Sequence, residues 1–153
     1  MDELTLRNFL IEAKANTYAS GRAEKTYNQD GSKQFRFSKG VMSYRDRYLG
    51  KNPVLGVESV KIGDILIWSM NYIGHTFVDD LPTGAILGFL RQALQKPILE
   101  LPFRGPESFS EGEWNYKHNI QGDLEIFHGE EWIKHQGELV YRLAYSGTTN
   151  VDI

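Results

Sequence analysis

One ordered series of residues occurs twice in this chain. Phe37-Ser38-Lys39-Gly40 has Tyr44 in the eighth position, and Phe109-Ser110-Glu111-Gly112 has Tyr116 in the same place. Tyr44 leads on to Gly50, Gly56, Glu58, Gly63, Trp68, Tyr72 and Gly74. Tyr116 leads on to Gly122, Gly129, Glu131, Gly137, Tyr141, Tyr145 and Gly147, with only single-residue slips between the two series. Upstream, Leu6, Phe9, Leu10 and Ala13 form one apolar helical stripe, and Ile86, Phe89, Leu90 and Ala93 form another. Self-similarity of this kind constrains a fold more than any local propensity. It predicts one domain over 1–153, with internal repeat 1 at about 3–74 and internal repeat 2 at about 83–147.

Each repeat reads as a helix followed by an antiparallel meander. The helices are expected at about 3–16 and 83–96, the second started by Asp80, Pro82 and Thr83. Strands are expected near 34–38, 41–49, 56–62 and 64–73, then near 113–120, 123–128, 130–136 and 138–146. Ile65, Ile67 and Ile73 share one parity; Leu66, Trp68, Met70 and Tyr72 share the other. Gly56 and Gly129 interrupt strand-like stretches and suggest bulges or bends. The connections at about 17–32 and 97–112 are long, and loops of that length are often functional. The expected fold is α+β: two helix-plus-antiparallel-meander repeats related by a pseudo-twofold axis.

Composition excludes several classes. At 153 residues, 41% hydrophobic and 24% charged, the chain is neither disordered nor a coiled coil. A net charge of -3 gives no footprint for direct nucleic-acid binding. Without cysteine there is no disulfide, thiolate metal site or cysteine nucleophile. Met1-Asp2-Glu3 has no basic n-region, and no stretch reaches the ~18 apolar residues of a membrane span. A cytoplasmic protein without membrane association is the expectation. Charge is nonetheless uneven. Lys33, Arg36, Lys39, Arg45, Arg47 and Lys51 surround the single acid Asp46, while Glu100 to Glu131 is rich in acids. The two stretches read either as solvated faces or as complementary surfaces of a homodimer.

Strand parity collects Tyr44, Asp46, Tyr48, Trp68, Met70 and Tyr72 on one face, with Trp114, Tyr116, His118, Ile120, Tyr141, Leu143 and Tyr145. The opposite parity carries Arg45, Arg47, Ser69, Asn71, Asn115, Lys117, Asn119 and Arg142, so the aromatic face should meet the helices. That face reads either as packed core or as the wall of a small-molecule pocket. On the pocket reading its ligand-binding residues are Tyr44, Asp46, Tyr48, Glu58, Trp68, Tyr72, Tyr116, His118, Tyr141 and Tyr145, joined by Arg104, and the ligand is small and apolar or planar. Asp46 and His118 stand at matching repeat positions and are candidates for an acid/base pair. Glu58 and Glu131 are a second matched pair, better suited to holding backbone amides. Arg104 clamps an anion or braces its loop through backbone carbonyls. His118, His128 and His135 match no metal-ligand spacing, and no phosphate loop, dinucleotide fingerprint or nucleophile elbow is present; no cofactor or metal is expected.

Several segments carry a family resemblance. They include Tyr18-Ala19-Ser20-Gly21, Asp30-Gly31-Ser32, Tyr44-Arg45-Asp46-Arg47-Tyr48-Leu49-Gly50, Gly56-Val57-Glu58, Ile67-Trp68-Ser69-Met70-Asn71-Tyr72, Pro102-Phe103-Arg104-Gly105-Pro106, Gly122-Asp123 and Val140-Tyr141-Arg142-Leu143. Together they resemble a bacterial family of unknown function whose members occur alone or behind an Xre-type helix-turn-helix domain. The resemblance implies a regulatory context by association and transfers no activity or catalytic residue. With its first helix expected from about residue 3, no such DNA-binding domain is expected within this sequence. By architecture alone, duplicated helix–strand units around an aromatic cleft are similar to the effector-binding domains of multidrug-sensing regulators. Three functions follow as expectations: a non-enzymatic small-ligand-binding or sensing domain, an enzyme using Asp46 and His118, or a protein-interaction module.

Overall fold

Strand-forming residues dominate the chain, and they pair into one layer. The computed structural model describes residues 1–77 and 81–149. Helix α1 (Glu3–Ala15) is followed by a 3-10 turn (Tyr18–Ser20) and strands β1 (Thr26–Tyr27), β2 (Lys33–Lys39), β3 (Met42–Gly50), β4 (Val54–Ile62) and β5 (Ile65–Thr76). Helix α2 (Thr83–Leu94) precedes β6 (Ser108–Glu111), β7 (Trp114–Gly122), β8 (Ile126–His135) and β9 (Glu138–Thr149). All nine strands join one sheet in the order β1-β2-β3-β4-β5-β9-β8-β7-β6, and every neighbouring pair is antiparallel.

The expected pair of helix-plus-meander repeats about a pseudo-twofold axis is therefore corrected to one continuous nine-stranded sheet with two helices. The physical reason is the β5–β9 seam. These two 12-residue strands pair from Trp68↔Thr149 to Thr76↔Tyr141. Each thereby satisfies the row of N–H and C=O groups that a free edge would leave open.

Other boundaries move for local reasons. The stretches 123–128 and 130–136 are one strand, β8, because Gly129 keeps its place in the ladder opposite Ile120 and Tyr145. Gly56 likewise stays in register with Tyr48 and Tyr72, and the irregularities fall instead at Val60/Lys61 and Ile133/Lys134. The two long connections hold β1 and β6, each too short to show a periodicity. Helix α2 ends at Leu94, and Pro82 is its N-cap residue; Asp80 lies outside the described residues.

Both helical stripes are buried: Leu6, Phe9, Leu10 and Ala13 on α1, and Ile86, Phe89, Leu90 and Ala93 on α2. They close over the aromatic parity of the sheet, so that Tyr44, Trp68, Met70, Tyr72, Tyr116, Tyr141, Leu143 and Tyr145 join one core. Burying each large aromatic stabilises the fold by roughly 1.5–3 kcal/mol. The outward parity is exposed, including Arg45, Asn71, Asn115, Lys117, Asn119 and Arg142. On that outer face Leu49, Leu55 and Ile73 stand in one register row and are exposed as well.

Candidate functional site

The inward face is unusual for the charges it buries. Lys14, Asp46, Glu58, Arg104, His118 and Glu131 are all buried among the aromatic rings. A charge removed from water must be paired and hydrogen-bonded, and the partners here are specific. Lys14, the last-turn cation of α1, forms an ion pair with Glu58 of β4. Arg104 donates from Nε (3.0 Å) and Nη2 (2.5 Å) to Glu131 Oε1. Tyr116 and Tyr141 donate their hydroxyls to the same carboxylate at 2.5 and 3.0 Å. Glu131 thus accepts bonds from three side chains while fully buried.

The loop before β6 positions Arg104. The Phe103 ring packs at 4.1 Å from Phe127 and drives the next residue inward. Gly105 lies against Tyr116, where a Cβ would stand 2.8 Å from the phenol oxygen. That oxygen also accepts the Gly105 N–H at 3.1 Å. Arg104 therefore braces its loop through a carboxylate, and not through backbone carbonyls as one sequence reading had it. Burial is the largest influence and raises the Glu131 pKa, but the charge and hydrogen bonds of Arg104 and the Tyr116 hydrogen bond together outweigh it and hold the carboxyl below its ordinary value. Burial alone would lower Arg104; Glu131 and Tyr141 reverse this and keep the guanidinium charged.

Asp46 and His118 do not form a pair. Asp46 Oδ1 accepts the Tyr72 hydroxyl at 2.7 Å. His118 Nδ1 lies 2.9 Å from the Gly105 carbonyl and Nε2 lies 2.6 Å from the Tyr145 hydroxyl. A carbonyl only accepts, so Nδ1 carries the proton and Nε2 accepts from Tyr145. Burial lowers the His118 pKa, in keeping with a neutral ring. The two residues are each engaged by a different tyrosine, and the geometry an Asp–His acid/base pair requires is absent between them. Burial first, and Glu58 second, push Asp46 up to about 7.

A cleft opens beside this network. Its volume is about 320 Å³. The sheet contributes Asp46, Tyr72, Tyr141, Val54 and Leu143 to its lining, α2 contributes Leu87 and Leu90, and Tyr18, Tyr48 and Arg104 also line it. Lys25, Lys33, Lys51 and Arg91 complete the wall. Of the residues expected to bind a ligand, the structure brings Asp46, Tyr48, Tyr72, Tyr141 and Arg104 to this cleft. Tyr44 and Glu58 line a void of about 20 Å³ beside Lys14 and not this cleft. Trp68, Tyr116, His118 and Tyr145 are packed in the core.

Sequence reasoning missed Tyr18, Lys25, Leu87, Leu90 and Arg91. Arg91 carried a signal, being the one charged residue of α2 and directly after the buried Leu90. The basic stretch carried another. Lys33 and Lys51 reach the cleft, whereas Lys39 pairs with Glu12 and Arg47 with Asp30. A larger groove of about 450 Å³, between the start of α1 and the β4–β5 turn, contains no buried charge. Among the described residues no group of three His, Asp or Glu side chains is placed to hold a metal ion, and no helix is long and apolar enough to cross a membrane.

A family model described as a domain of unknown function, DUF5680, matches residues 46–149. Neither the curated proteins nor the solved structures contain a match to the chain.

Proposed function

The chain belongs to the DUF5680 family of domains of unknown function, and from its own geometry we propose that it is a non-enzymatic small-ligand-binding or sensing domain whose ligand enters the cleft between α2 and the inward face of β3, β4, β5 and β9. The observation that carries this reading is the cleft itself. A volume of about 320 Å³ lies within the ~300–1,000 Å³ usual for ligand sites. Apolar side chains from α2 and from the sheet line it together with a few polar groups, as ligand recognition requires. Tyr72, Tyr141 and Arg104 are held by buried hydrogen bonds to Asp46 and Glu131, so these polar groups are set before any ligand arrives. The same bonds occupy the groups that acid/base catalysis would need, which favours binding over turnover.

A thermal-shift screen of small aromatic and aliphatic compounds tests the reading. A ligand present at about 100 times its Kd stabilises the native form by roughly 2.7 kcal/mol and raises Tm by several degrees. Val54→Trp, which fills the cleft from a half-buried position, should abolish the shift of any hit without lowering the unliganded Tm by a comparable amount. Hits whose shifts survive Val54→Trp, or which move no cleft-lining amide in an NMR titration, would remove the proposal.

A further inference from the structure

We infer that the cleft takes an organic anion, a carboxylate-bearing molecule with a ring-sized apolar body, whose head group is gripped by Arg91 and the rim lysines. The inference rests on the ligand-binding reading above and adds the charge and shape of the ligand. Its first support is the charge census of the wall. Five cations line the cleft (Lys25, Lys33, Lys51, Arg91 and Arg104), against one acid among the described residues, Asp46. Arg104 is spent on Glu131. The other four form no ion pair with any described residue. Some basic side chains elsewhere on the surface do find acids: Lys39 with Glu12, Arg47 with Asp30, Arg142 with Glu130. Within the cleft wall itself, positive charge therefore exceeds negative.

The second support is Arg91. Its Nε is buried and has no hydrogen-bond partner among the described residues. Its guanidinium carbon lies over the Tyr18 ring, 4.9 Å from the ring centre. An arginine serving only the C-terminal end of α2 would keep its donors in water. A buried donor without an acceptor is costly, and the planar guanidinium of this cleft-lining arginine is a fork that the two oxygens of a carboxylate match. One helical turn back, Leu87 faces the same space, with Leu90 beside it and Val54 and Leu143 across it. The anion-binding group and these apolar side chains thus adjoin, which selects a molecule with a charged head on a hydrophobic body. Asp46 opposes this little, because its raised pKa leaves it partly protonated near neutrality.

Three probes of one shape separate the possibilities: 2-naphthoate, its neutral amide and 2-naphthylmethylammonium, each titrated against the full chain by calorimetry and by NMR. The expected result is naphthoate binding at least about tenfold more tightly than the amide, a difference of about 1.4 kcal/mol, with the ammonium weakest. Arg91→Met should weaken naphthoate by about tenfold or more and leave the amide unchanged. Lys51 is exposed, so Lys51→Gln leaves the core intact and should weaken naphthoate by roughly two- to threefold, with a smaller dependence on salt. Equal binding of acid and amide, preference for the ammonium, or indifference of naphthoate to both substitutions would overturn the inference while leaving a ligand-binding cleft. If no probe binds, the anion inference fails; if the wider screen also yields no cleft ligand, the ligand-binding reading fails with it.

Discussion

The Tyr72 phenol occupies the space in which a side chain on Gly56 would stand. A Cβ at Gly56 would lie 2.3 Å from both Cζ and Oη of that ring. The missing side chain lets the ring lie across β4 and deliver its hydroxyl to Asp46 on β3. Gly56→Ala should displace the ring, break the Tyr72–Asp46 bond and destabilise the fold by about 1–3 kcal/mol. Urea unfolding checks this: the midpoint falls with the slope unchanged. A midpoint equal to wild type would show that the ring has room to move.

Removing Glu131 should cost far more than removing its chain neighbour. Glu131→Gln leaves the Arg104 guanidinium buried without its counter-charge, a loss of roughly 3–5 kcal/mol. Glu130 pairs with Arg142 on the half-open outer face, where solvent screens the pair, and Glu130→Gln should change stability by no more than about 0.5 kcal/mol. Calorimetric melting of both variants decides it, and similar losses for the two would contradict the buried network.

Asp46 should give stability an unusual dependence on pH. Glu58 from β4, Tyr72 from β5, Lys14 from α1 and Arg104 from the loop before β6 act on its carboxyl, and burial is the largest influence. The folded pKa of about 7 lies above the ordinary value of 3.8, so the native state holds a proton that the unfolded chain releases. The stability contributed by Asp46 is complete below about pH 4 and is lost as the pH rises through about 7. Between pH 5 and pH 8.5 the wild type should lose on the order of 1–3 kcal/mol relative to Asp46→Asn, measured by urea titrations at each pH. Parallel curves would place Asp46 among ordinary ionised carboxylates.

His118 should stay neutral in the folded protein below the pH at which a free imidazole gains its proton. Its lowered pKa runs opposite to Asp46: the stability it contributes is present above about pH 6.5 and declines as the pH falls through its folded pKa. Long-range ¹H–¹⁵N correlation spectra at pH 6 should show the proton on Nδ1, with Nε2 as acceptor. Tyr145→Phe removes the hydroxyl that Nε2 meets and should shift that nitrogen's resonance; a protonated ring at pH 6 would contradict the assignment.

Much of this was legible in the sequence where burial follows a period. The stripes Leu6-Phe9-Leu10-Ala13 and Ile86-Phe89-Leu90-Ala93 named the buried faces of both helices, and strand parity separated Tyr44, Asp46 and Trp68 from Arg45 and Arg47. The matched series of residues also singled out Asp46, His118, Glu58 and Glu131, all of which prove to be buried. What the series could not convey was pairing. Alternation marks which side a residue faces, not which strand lies beside it. The union of β5 with β9, and the separate partners of Asp46 and His118, therefore appeared only in three dimensions. Lys25 and Arg91 were missed for the same reason: they meet across the cleft from a loop and a helix far apart in the chain.

The seam between β5 and β9 has a consequence for how the polypeptide reaches its native state. Until the residues of β9 have been synthesised, β5 can gain no neighbour on that side, and neither can β8. The growing chain carries two raw ribbons with unsated margins, and both are sealed by a single late insertion. Such long-range closure is slow compared with hairpin formation. The interval before it is when a nascent molecule is most open to sticking to another strand.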